Sequence, residues 1–218
     1  MDLWVFDNDG TLYDDKLAHI EFAKHLGAYL EGLLGISGED TKILGERLRT
    51  KHNTSSTVIA VVREFHLDIK EVIERTYLCI NLDSCQNPME DSGRDEALAQ
   101  IRGRKVILTN NPSAFARRIV ERIGLRRHFA DIIGMEETAF ALKPDLGAFL
   151  AVMRRHPDAT RIFFCDDSRE NLDIATTLGW KTIWYSPNNS GDDSGSSHTI
   201  LRSFRLLPGV RDTLFGEA

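Results

Sequence analysis

The 218-residue sequence lacks the features that would place it in a specialised class of protein. Its longest clean apolar run, residues 58–62, is far shorter than the roughly 18 residues that a membrane span requires. No basic leader precedes an apolar segment, so we expect no signal peptide. The formal net charge of −6 disfavours a nucleic-acid or anionic-membrane partner. The 42% hydrophobic and 28% charged fractions are ordinary, which excludes a disordered, collagenous or coiled-coil chain.

Cysteine is also scarce. The three cysteines are Cys79, Cys85 and Cys165, an odd number whose spacings form no pair of Cys-x-x-Cys motifs. We therefore expect neither a disulfide framework nor a zinc site, and reduced thiols of this kind are typical of a cytoplasmic protein. Cys165 lies inside an apolar run, which favours a buried structural thiol over a reactive one.

Short apolar runs that end abruptly in polar residues recur along the chain. They are residues 3–6, 106–108, 131–133, 162–165 and 182–185. Residues with helical spacing lie between them, over 113–123, 171–178 and a segment that starts at Pro144. Continuous apolar strands separated by helices are typical of a parallel sheet covered on both faces. The sequence thus predicts an α/β fold, with a final edge strand and short helix in 199–214.

Residues 15–92 differ from the rest because they contain no convincing strand. Apolar residues recur at helical spacing here, as in the stripe from Phe22 to Leu33. Because this block separates the first strand from the second, we predict a helical domain, 15–92, inserted into a core made of 1–14 and 93–218. The Ser-, Gly- and Asp-rich stretch 188–197 predicts a flexible surface loop.

Polar residues of matching kinds follow three of the predicted strands. They are Asp7 and Asp9, then Thr109 and Asn110, then Asp166 and Asp167. Sites in parallel α/β sheets form at the carboxyl ends of strands, so these side chains converge if the strands are neighbours. Four carboxylates in a small space need a cation or protons, and oxygen ligands without His suit Mg²⁺. Lys143, just before a helix, would add a second positive charge toward a phosphate, and the Thr109 hydroxyl would help to bind it.

Such a cluster suits covalent chemistry on phosphorus. An aspartate can attack phosphorus as a nucleophile. A second carboxylic acid two residues on can protonate the leaving oxygen and later activate water.

Four motifs, in this order, resemble those of the haloacid dehalogenase (HAD) phosphohydrolase superfamily. They are Asp7-x-Asp9-Gly10-Thr11-Leu12, Thr109-Asn110, Lys143-Pro144 and Asp166-Asp167-x-x-x-Asn171. The resemblance spans the length of the core. It implies a Rossmann-like core with a helical cap inserted after the first motif, which agrees with the independent interpretation of 15–92.

The resemblance also implies a role for each motif residue. Asp7 would be the nucleophile and a Mg²⁺ ligand, and Asp9 the general acid/base that binds Mg²⁺ through its backbone carbonyl. Thr109 and Asn110 would hold the phosphoryl oxygens. Lys143 would offset the charge between Asp7 and the phosphate.

The last motif carries the remaining implied roles. Asp167 matches the metal-binding acid. Asp166 stands where many relatives have glycine, so it is either a second carboxylate of the metal shell or an orienting residue. Asn171 replaces a common aspartate and is expected to support Lys143 or the metal shell.

Asp9 separates two branches of the superfamily. Relatives that cleave carbon–halogen bonds lack an acid at this position, because a dehalogenase needs no proton donor to an ester oxygen. A phosphatase does need one, so Asp9 favours phosphate ester hydrolysis.

Three features are similar to the pyrimidine 5′-nucleotidase branch. They are Tyr13, the string Phe163-Phe164-Cys165-Asp166-Asp167-Ser168, and the run Lys51-His52-Asn53-Thr54-Ser55 in the helical block. His52 and Asn53 stand where that branch tends to have an aromatic residue and a glycine. The resemblance implies that residues 51–54 bind substrate, but a helix N-cap at Ser55 or Ser56 explains the same run almost as well.

These observations predict a Mg²⁺-dependent phosphomonoesterase with an aspartyl-phosphate intermediate and a cap that closes over the site to exclude water. We expect a small phosphorylated substrate, a pyrimidine nucleoside 5′-monophosphate; the alternative is a small metabolite such as phosphoglycolate or a sugar phosphate. A hypothesis from another class is a catalytically idle relative that binds a partner. Such a protein would be expected to have lost a motif residue, and all are present. The sequence sets no oligomeric state.

Overall fold

Two units of structure make up the chain. The computed structural model describes residues 1–36, 38–83, 93–188 and 196–215. The larger unit, here called the sheet unit, comprises Met1–Asp14 and Asn87–Ala218, and the smaller one, the helical unit, comprises Asp15–Gln86. Each unit has an apolar core of its own. Within the described ranges no helix is both long enough and apolar enough to cross a bilayer.

The strands of the sheet unit coincide with the apolar runs of the sequence. They are β1 (Asp2–Phe6), β2 (Arg104–Leu108), β3 (Asp131–Ile133), β4 (Arg161–Asp166), β5 (Lys181–Tyr185) and β6 (Thr199–Leu201). All pairs are parallel, in the order β3-β2-β1-β4-β5-β6. β1 is central, with Val5 opposite Val106 on one side and Phe164 on the other. The predicted parallel α/β fold is confirmed.

Helices occupy both units. Those of the helical unit are α1 (Lys16–Leu34), α2 (Gly38–Lys51), α3 (Thr57–Phe65) and α4 (Ile69–Arg75). Those of the sheet unit are α5 (Arg94–Gln100), α6 (Ser113–Arg122), α7 (Leu146–Arg155), α8 (Arg169–Thr177) and α9 (Leu207–Phe215). The edge strand and short helix predicted in 199–214 are thus β6 and α9.

An apolar core covers each face of the sheet. Side chains alternate along β1, so Trp4 and Phe6 join one core and Leu3 and Val5 join the other. Helices α5, α6 and α9 pack on the first face, and α7 and α8 pack on the second. Because both faces are buried, the candidate site lies at the ends of the strands.

The predicted start of the helix at Pro144 is wrong. Helix α7 begins at Leu146, and the Asp145 carboxylate accepts a hydrogen bond from the backbone N–H of Gly147 at 2.7 Å. An aspartate in extended conformation satisfies the free N–H groups of a first turn, so it defines the helix start more strongly than the proline before it.

The helical unit is a bundle around a small core. Buried apolar residues of α1, α2 and α3 form that core: Leu26, Leu30, Leu48, Ala60 and Val61. The predicted helical domain 15–92 shares its first boundary with this unit, while residues 84–92, including Cys85, lie outside the described residues. Residues 189–195 of the predicted loop 188–197 also lie outside them.

Candidate active site

Three carboxylates meet where β1 and β4 end. Asp7 follows β1, and its backbone N–H donates to the carbonyl of Cys165 at 2.9 Å, so the ends of the two strands are level. The carboxylate oxygens of Asp7, Asp166 and Asp167 lie within 4.8 Å of one another. Asp7 and Asp166 are buried, whereas Asp167 is exposed. The adjacency of β1 and β4 brings together residues that are remote in sequence.

The ammonium group of Lys143 lies between two of these carboxylates. Its Nζ donates to Asp7 Oδ1 at 2.6 Å and to Asp166 Oδ2 at 2.7 Å. Burial alone would lower the pKa of Lys143, but the carboxylates of Asp166 and Asp7 outweigh it and raise the pKa above its ordinary value. Burial also raises the pKa of Asp7, and Lys143 opposes that shift. The two carboxylates therefore favour the charged form of Lys143 beside the candidate nucleophile.

The carboxylate of Asp166 is surrounded by donors. Besides Lys143, it accepts hydrogen bonds from the backbone N–H of Ser168 at 2.8 Å and from Asn171 Nδ2, which is 3.0 Å from each oxygen. The side chain has no exposed surface. Of the two roles left open by the sequence, this arrangement favours the orienting one: Asn171 holds Asp166, and Asp166 holds Lys143.

Gly10 allows the close approach of Asp167. A Cβ atom at position 10 would lie 2.4 Å from Asp167 Oδ2, and the φ angle of +70° is one that residues with side chains rarely adopt. The backbone of Asp167 is fixed from the other side, because Trp184 Nε1 donates to its carbonyl at 3.0 Å. The glycine of the first motif thus allows Asp167, the predicted metal-binding acid of the last motif, to lie against the loop that carries Asp7.

The carboxylate of Asp9 has a different environment from that of Asp7. It accepts hydrogen bonds from Tyr13 OH at 2.5 Å, from Thr109 Oγ1 at 3.2 Å, and from Asn111 Nδ2 at 2.8 Å to each oxygen. Neither Tyr13 nor Asn111 was assigned a place in the site from the sequence. Tyr13 directly follows the first motif, and this position could have suggested a place in the site. Asn111 belongs to none of the motifs.

Asn110 contacts the backbone of Lys143. Its Nδ2 donates to the Lys143 carbonyl at 2.9 Å, and its Oδ1 accepts from the Lys143 backbone N–H at 2.7 Å. The buried Thr109 hydroxyl lies next to Asp9 and accepts from the backbone N–H of Asn111 at 3.1 Å. Both residues that were predicted to hold phosphoryl oxygens are therefore in the site, and the Asn110 side chain also fixes the lysine loop.

The four predicted substrate-binding residues of the helical unit take part in local contacts. Lys51 Nζ lies 2.8 Å from Glu64 Oε1, and His52 Nε2 lies 2.7 Å from Glu64 Oε2. Asn53 has a φ angle of +46° at the turn after α2, and Thr54 Oγ1 accepts from the backbone N–H of Ser56 at 3.2 Å.

Ser56 is the N-cap residue of α3. Its Oγ accepts a hydrogen bond from the backbone N–H of Ile59 at 3.3 Å. The turn between α2 and α3 accounts for the described contacts of Asn53 and Thr54. Those of Lys51 and His52 are made with Glu64 of α3.

The donor set of the carboxylate cluster fits a hard divalent cation. Three carboxylates against one ammonium leave an excess of two negative charges around Asp7, Asp166, Asp167 and Lys143. The oxygen ligands belong to a group that contains neither His nor Cys. Mg²⁺ prefers such ligands and is commonly held by one or two carboxylates plus phosphate oxygens.

The sheet and its carboxylate–lysine site define a class of hydrolase, and comparison with known proteins gives the family. A family model for haloacid dehalogenase-like hydrolases matches residues 1–179, which is most of the chain. A phosphoglycolate phosphatase of Mesorhizobium japonicum is 30% identical over 186 residues, covering 80% of this chain and 78% of that one. The chain belongs to the haloacid dehalogenase-like hydrolases.

Solved structures agree with the fold. An HAD phosphatase from Thermococcus onnurineus superposes with a TM-score of 0.69 at 19% identity, over 97% of this chain and 98% of that one. The HAD-hydrolase YfnB from Bacillus subtilis, bound to magnesium, superposes with a TM-score of 0.60 at 17% identity, over 96% of this chain and 97% of that one. At these identities the likeness is evidence for the fold alone.

Proposed function

We propose that this protein is a Mg²⁺-dependent phosphatase that hydrolyses phosphate monoesters through a covalent phosphoryl group on Asp7. The observation that carries the proposal is the position of Lys143 Nζ, 2.6 Å from Asp7 and 2.7 Å from Asp166 beside a third carboxylate. A buried cation next to a buried carboxylate prepares that carboxylate to approach an anionic phosphoryl group.

The carboxylates of Asp7 and Asp167 and the backbone carbonyl of Asp9 would hold the Mg²⁺ ion. When bound, the ion neutralises carboxylate charge and orients a phosphoryl oxygen. Asp166 is left out of this set because its oxygens already accept hydrogen bonds from Lys143, Ser168 and Asn171.

The first step transfers the phosphoryl group to the enzyme. A carboxylate oxygen of Asp7 forms a bond to phosphorus as the bond from phosphorus to the ester oxygen breaks. Asp9 donates its proton to that departing oxygen, so the alcohol leaves neutral. Lys143 and the Thr109 hydroxyl stabilise the charge on the transferring group.

The second step returns the enzyme to its starting state. Asp9, now a carboxylate, takes a proton from water as the water oxygen bonds to phosphorus. The bond between phosphorus and the Asp7 oxygen breaks and releases inorganic phosphate. The net change is the hydrolysis of one phosphate ester by one water molecule.

Asp9 is the residue that favours a phosphatase over a dehalogenase. An ester oxygen needs a proton to leave, whereas a halide does not. The carboxylate of Asp9 lies 3.2 Å from the Thr109 hydroxyl, which the family resemblance assigns to phosphoryl binding. The phosphatase relative supports the same choice.

For the substrate we propose a small phosphorylated acid, with phosphoglycolate as the first to test. Two observations support it: the 30% identical relative bears that name, and the polar run 51–54 takes part in the turn between α2 and α3. The pyrimidine nucleoside 5′-monophosphate predicted from the sequence is the second candidate, supported by that run's neutral donors and acceptors.

A metal-dependent assay tests the reaction itself. Purified protein should hydrolyse para-nitrophenyl phosphate with Mg²⁺. Acid-quenched protein should retain label from an ester radiolabelled at phosphorus, as the phosphoryl group that the first step places on Asp7. Absence of hydrolysis toward every phosphate ester tried would favour the idle partner-binding hypothesis.

Cys79 and Cys165 are free thiols, in keeping with the cytoplasmic location that we propose.

A steady-state comparison tests the substrate. UMP, CMP, AMP, phosphoglycolate and glucose phosphates should be ranked by kcat/KM, with phosphoglycolate expected first. The informative variant is Asn53→Gly, which removes the side chain but keeps the left-handed backbone at φ +46°. If UMP or CMP ranks first, and Asn53→Gly lowers kcat/KM for nucleotides alone, the nucleotide prediction is correct and the phosphoglycolate proposal is wrong.

A further inference from the structure

The general acid/base Asp9 is held by three neutral side chains. Tyr13 OH contacts Oδ1 at 2.5 Å, Thr109 Oγ1 contacts Oδ2 at 3.2 Å, and Asn111 Nδ2 lies 2.8 Å from both oxygens. Two of the three come from the turn after β2, which is about a hundred residues away in the chain. Together they define the direction in which the carboxylate points.

The backbone of Asn111 is itself held in place by two hydrogen bonds. Its backbone N–H donates to Thr109 Oγ1 at 3.1 Å, and its carbonyl accepts from the backbone N–H of Met135 at 3.0 Å. Gly134 permits this packing, because a Cβ at that position would lie 2.7 Å from the Asn111 carbonyl and 2.4 Å from the Ser113 nitrogen. The loops after β2 and β3 therefore hold Asn111 before substrate binds.

The contacts of Asp9 come from two separate segments of the chain. Tyr13 lies only four residues further on, whereas Thr109 and Asn111 belong to the turn after β2. Because hydrogen bonds from both segments reach the carboxylate, and both of its oxygens are contacted, its orientation is set before substrate binds.

We propose that Asn111 and Tyr13 are positioning residues that aim the Asp9 carboxyl group at the leaving oxygen. This inference rests on the proposed phosphatase function. Its consequence is specific: loss of either contact should slow the reaction most when the leaving group needs a proton. Binding of the phosphoryl group, which depends on Lys143, Thr109 and the metal, should change little.

The test compares two esters on two variants. Glycerol phosphate has an alkoxide leaving group that needs a proton, whereas para-nitrophenyl phosphate hardly does. For Asn111→Ala we compare kcat/KM, which reports the first step alone, because Asp9 also acts in the second step and that step is the same for both esters. We expect kcat/KM on glycerol phosphate to fall on the order of tenfold or more, and kcat/KM on the aryl ester to stay within about threefold of wild type. Tyr13→Phe, which removes only the hydroxyl, should act in the same direction and more weakly. Asn188→Ala, an exposed asparagine of the sheet unit, is the matched control.

A double-mutant cycle separates positioning from general damage. In an Asp9→Asn background, Asn111→Ala should cause no further change in the ratio of alkyl to aryl kcat/KM, because the residue acts through Asp9. Equal losses of kcat/KM on both esters, or a gain on glycerol phosphate, would overturn the inference while leaving the phosphatase proposal intact. A wild-type protein inactive on both esters with Mg²⁺ would instead reject the proposed function, and the inference with it.

Discussion

Polar side chains in the sheet unit find partners across long stretches of chain, whereas those in the helical unit find them nearby. Lys143 and Asp7 are 136 residues apart, and Asn111 and Asp9 are 102 apart. In the helical unit, Lys51 pairs with Glu64 only 13 residues away. Local contacts follow from helix ends and turns, but nothing local explains three buried charges brought together from three separate segments of the chain. It is this buried, long-range cluster that points to chemistry.

The same difference separates the two units energetically. Asp7, Asp166 and Lys143 are buried, so each depends on the others to offset its loss of water. Lys51 has 62% of its side chain exposed and keeps most of its hydration when its partner is removed. Variants of the buried site residues in the sheet unit should therefore affect activity or stability strongly, and variants in the helical turn should affect them weakly.

The largest effect is expected for Asp7→Asn. The amide cannot attack phosphorus, so turnover should fall by roughly a thousandfold or more while the fold is kept. Steady-state turnover together with circular dichroism would measure this. Asp158→Asn, at an exposed aspartate of the same unit, should retain full activity. Residual turnover of a few per cent in Asp7→Asn would reject Asp7 as the nucleophile.

Metal removal should be nearly as severe. We expect EDTA to abolish activity, Mg²⁺ to restore it and excess Ca²⁺ to inhibit, because Ca²⁺ prefers more ligands and looser geometry. Mg²⁺ should also raise the Tm of the wild type, since a ligand that binds the folded state stabilises it. That rise should shrink in Asp167→Asn. Full activity in EDTA would show that the carboxylate cluster does not serve a metal.

Lys143→Met tests the stability side of the comparison. It leaves Asp7 and Asp166 buried without their cation, so the free energy of unfolding should fall by about 3–5 kcal/mol. Lys51→Met is the matched variant of the helical unit and should change the free energy of unfolding little. Urea unfolding at neutral pH measures both, and equal losses would remove the distinction between the two units.

The smallest effect is expected for the turn between α2 and α3. Ser56→Ala removes the N-cap hydrogen bond to Ile59 and should lower the free energy of unfolding by about 1 kcal/mol. The exposed neighbour Ser55 provides the control, Ser55→Ala. Neither variant should change kcat on para-nitrophenyl phosphate. A large loss of turnover in Ser56→Ala would mean that this turn contributes to the reaction.

The sequence was most informative where apolar runs end in polar residues. Each predicted strand was found, because a strand buried on both faces leaves an uninterrupted apolar run. The helix start at Pro144 was wrong because Asp145 competes as an N-cap, which only the backbone conformation decides. The residue at which a helix begins was thus less predictable than the existence of the helix itself.

Within the site, the acids, the lysine and the neutral residues of the motifs could be predicted. Asn111, and the contacts that Asn110 makes with backbone atoms, could not. Asp7, Asp166 and Lys143 stand out by charge. Asn111 is an ordinary polar residue whose partner, Asp9, lies about a hundred residues away. Asn110 forms hydrogen bonds with backbone atoms of Lys143, and such contacts cannot be recognised from residue types. The substrate roles of 51–54 stay a prediction.

The central place of β1 has a consequence for how the protein is made. The strand that precedes Asp7 is synthesised before both of its neighbours in the sheet, which are residues 104–107 and 161–165. β1 must therefore wait, unpaired, until most of the chain has been synthesised, while the helical unit can form its local contacts earlier. Because non-local pairing of this kind slows folding, we expect sheet assembly to be the late, chaperone-sensitive stage of biogenesis.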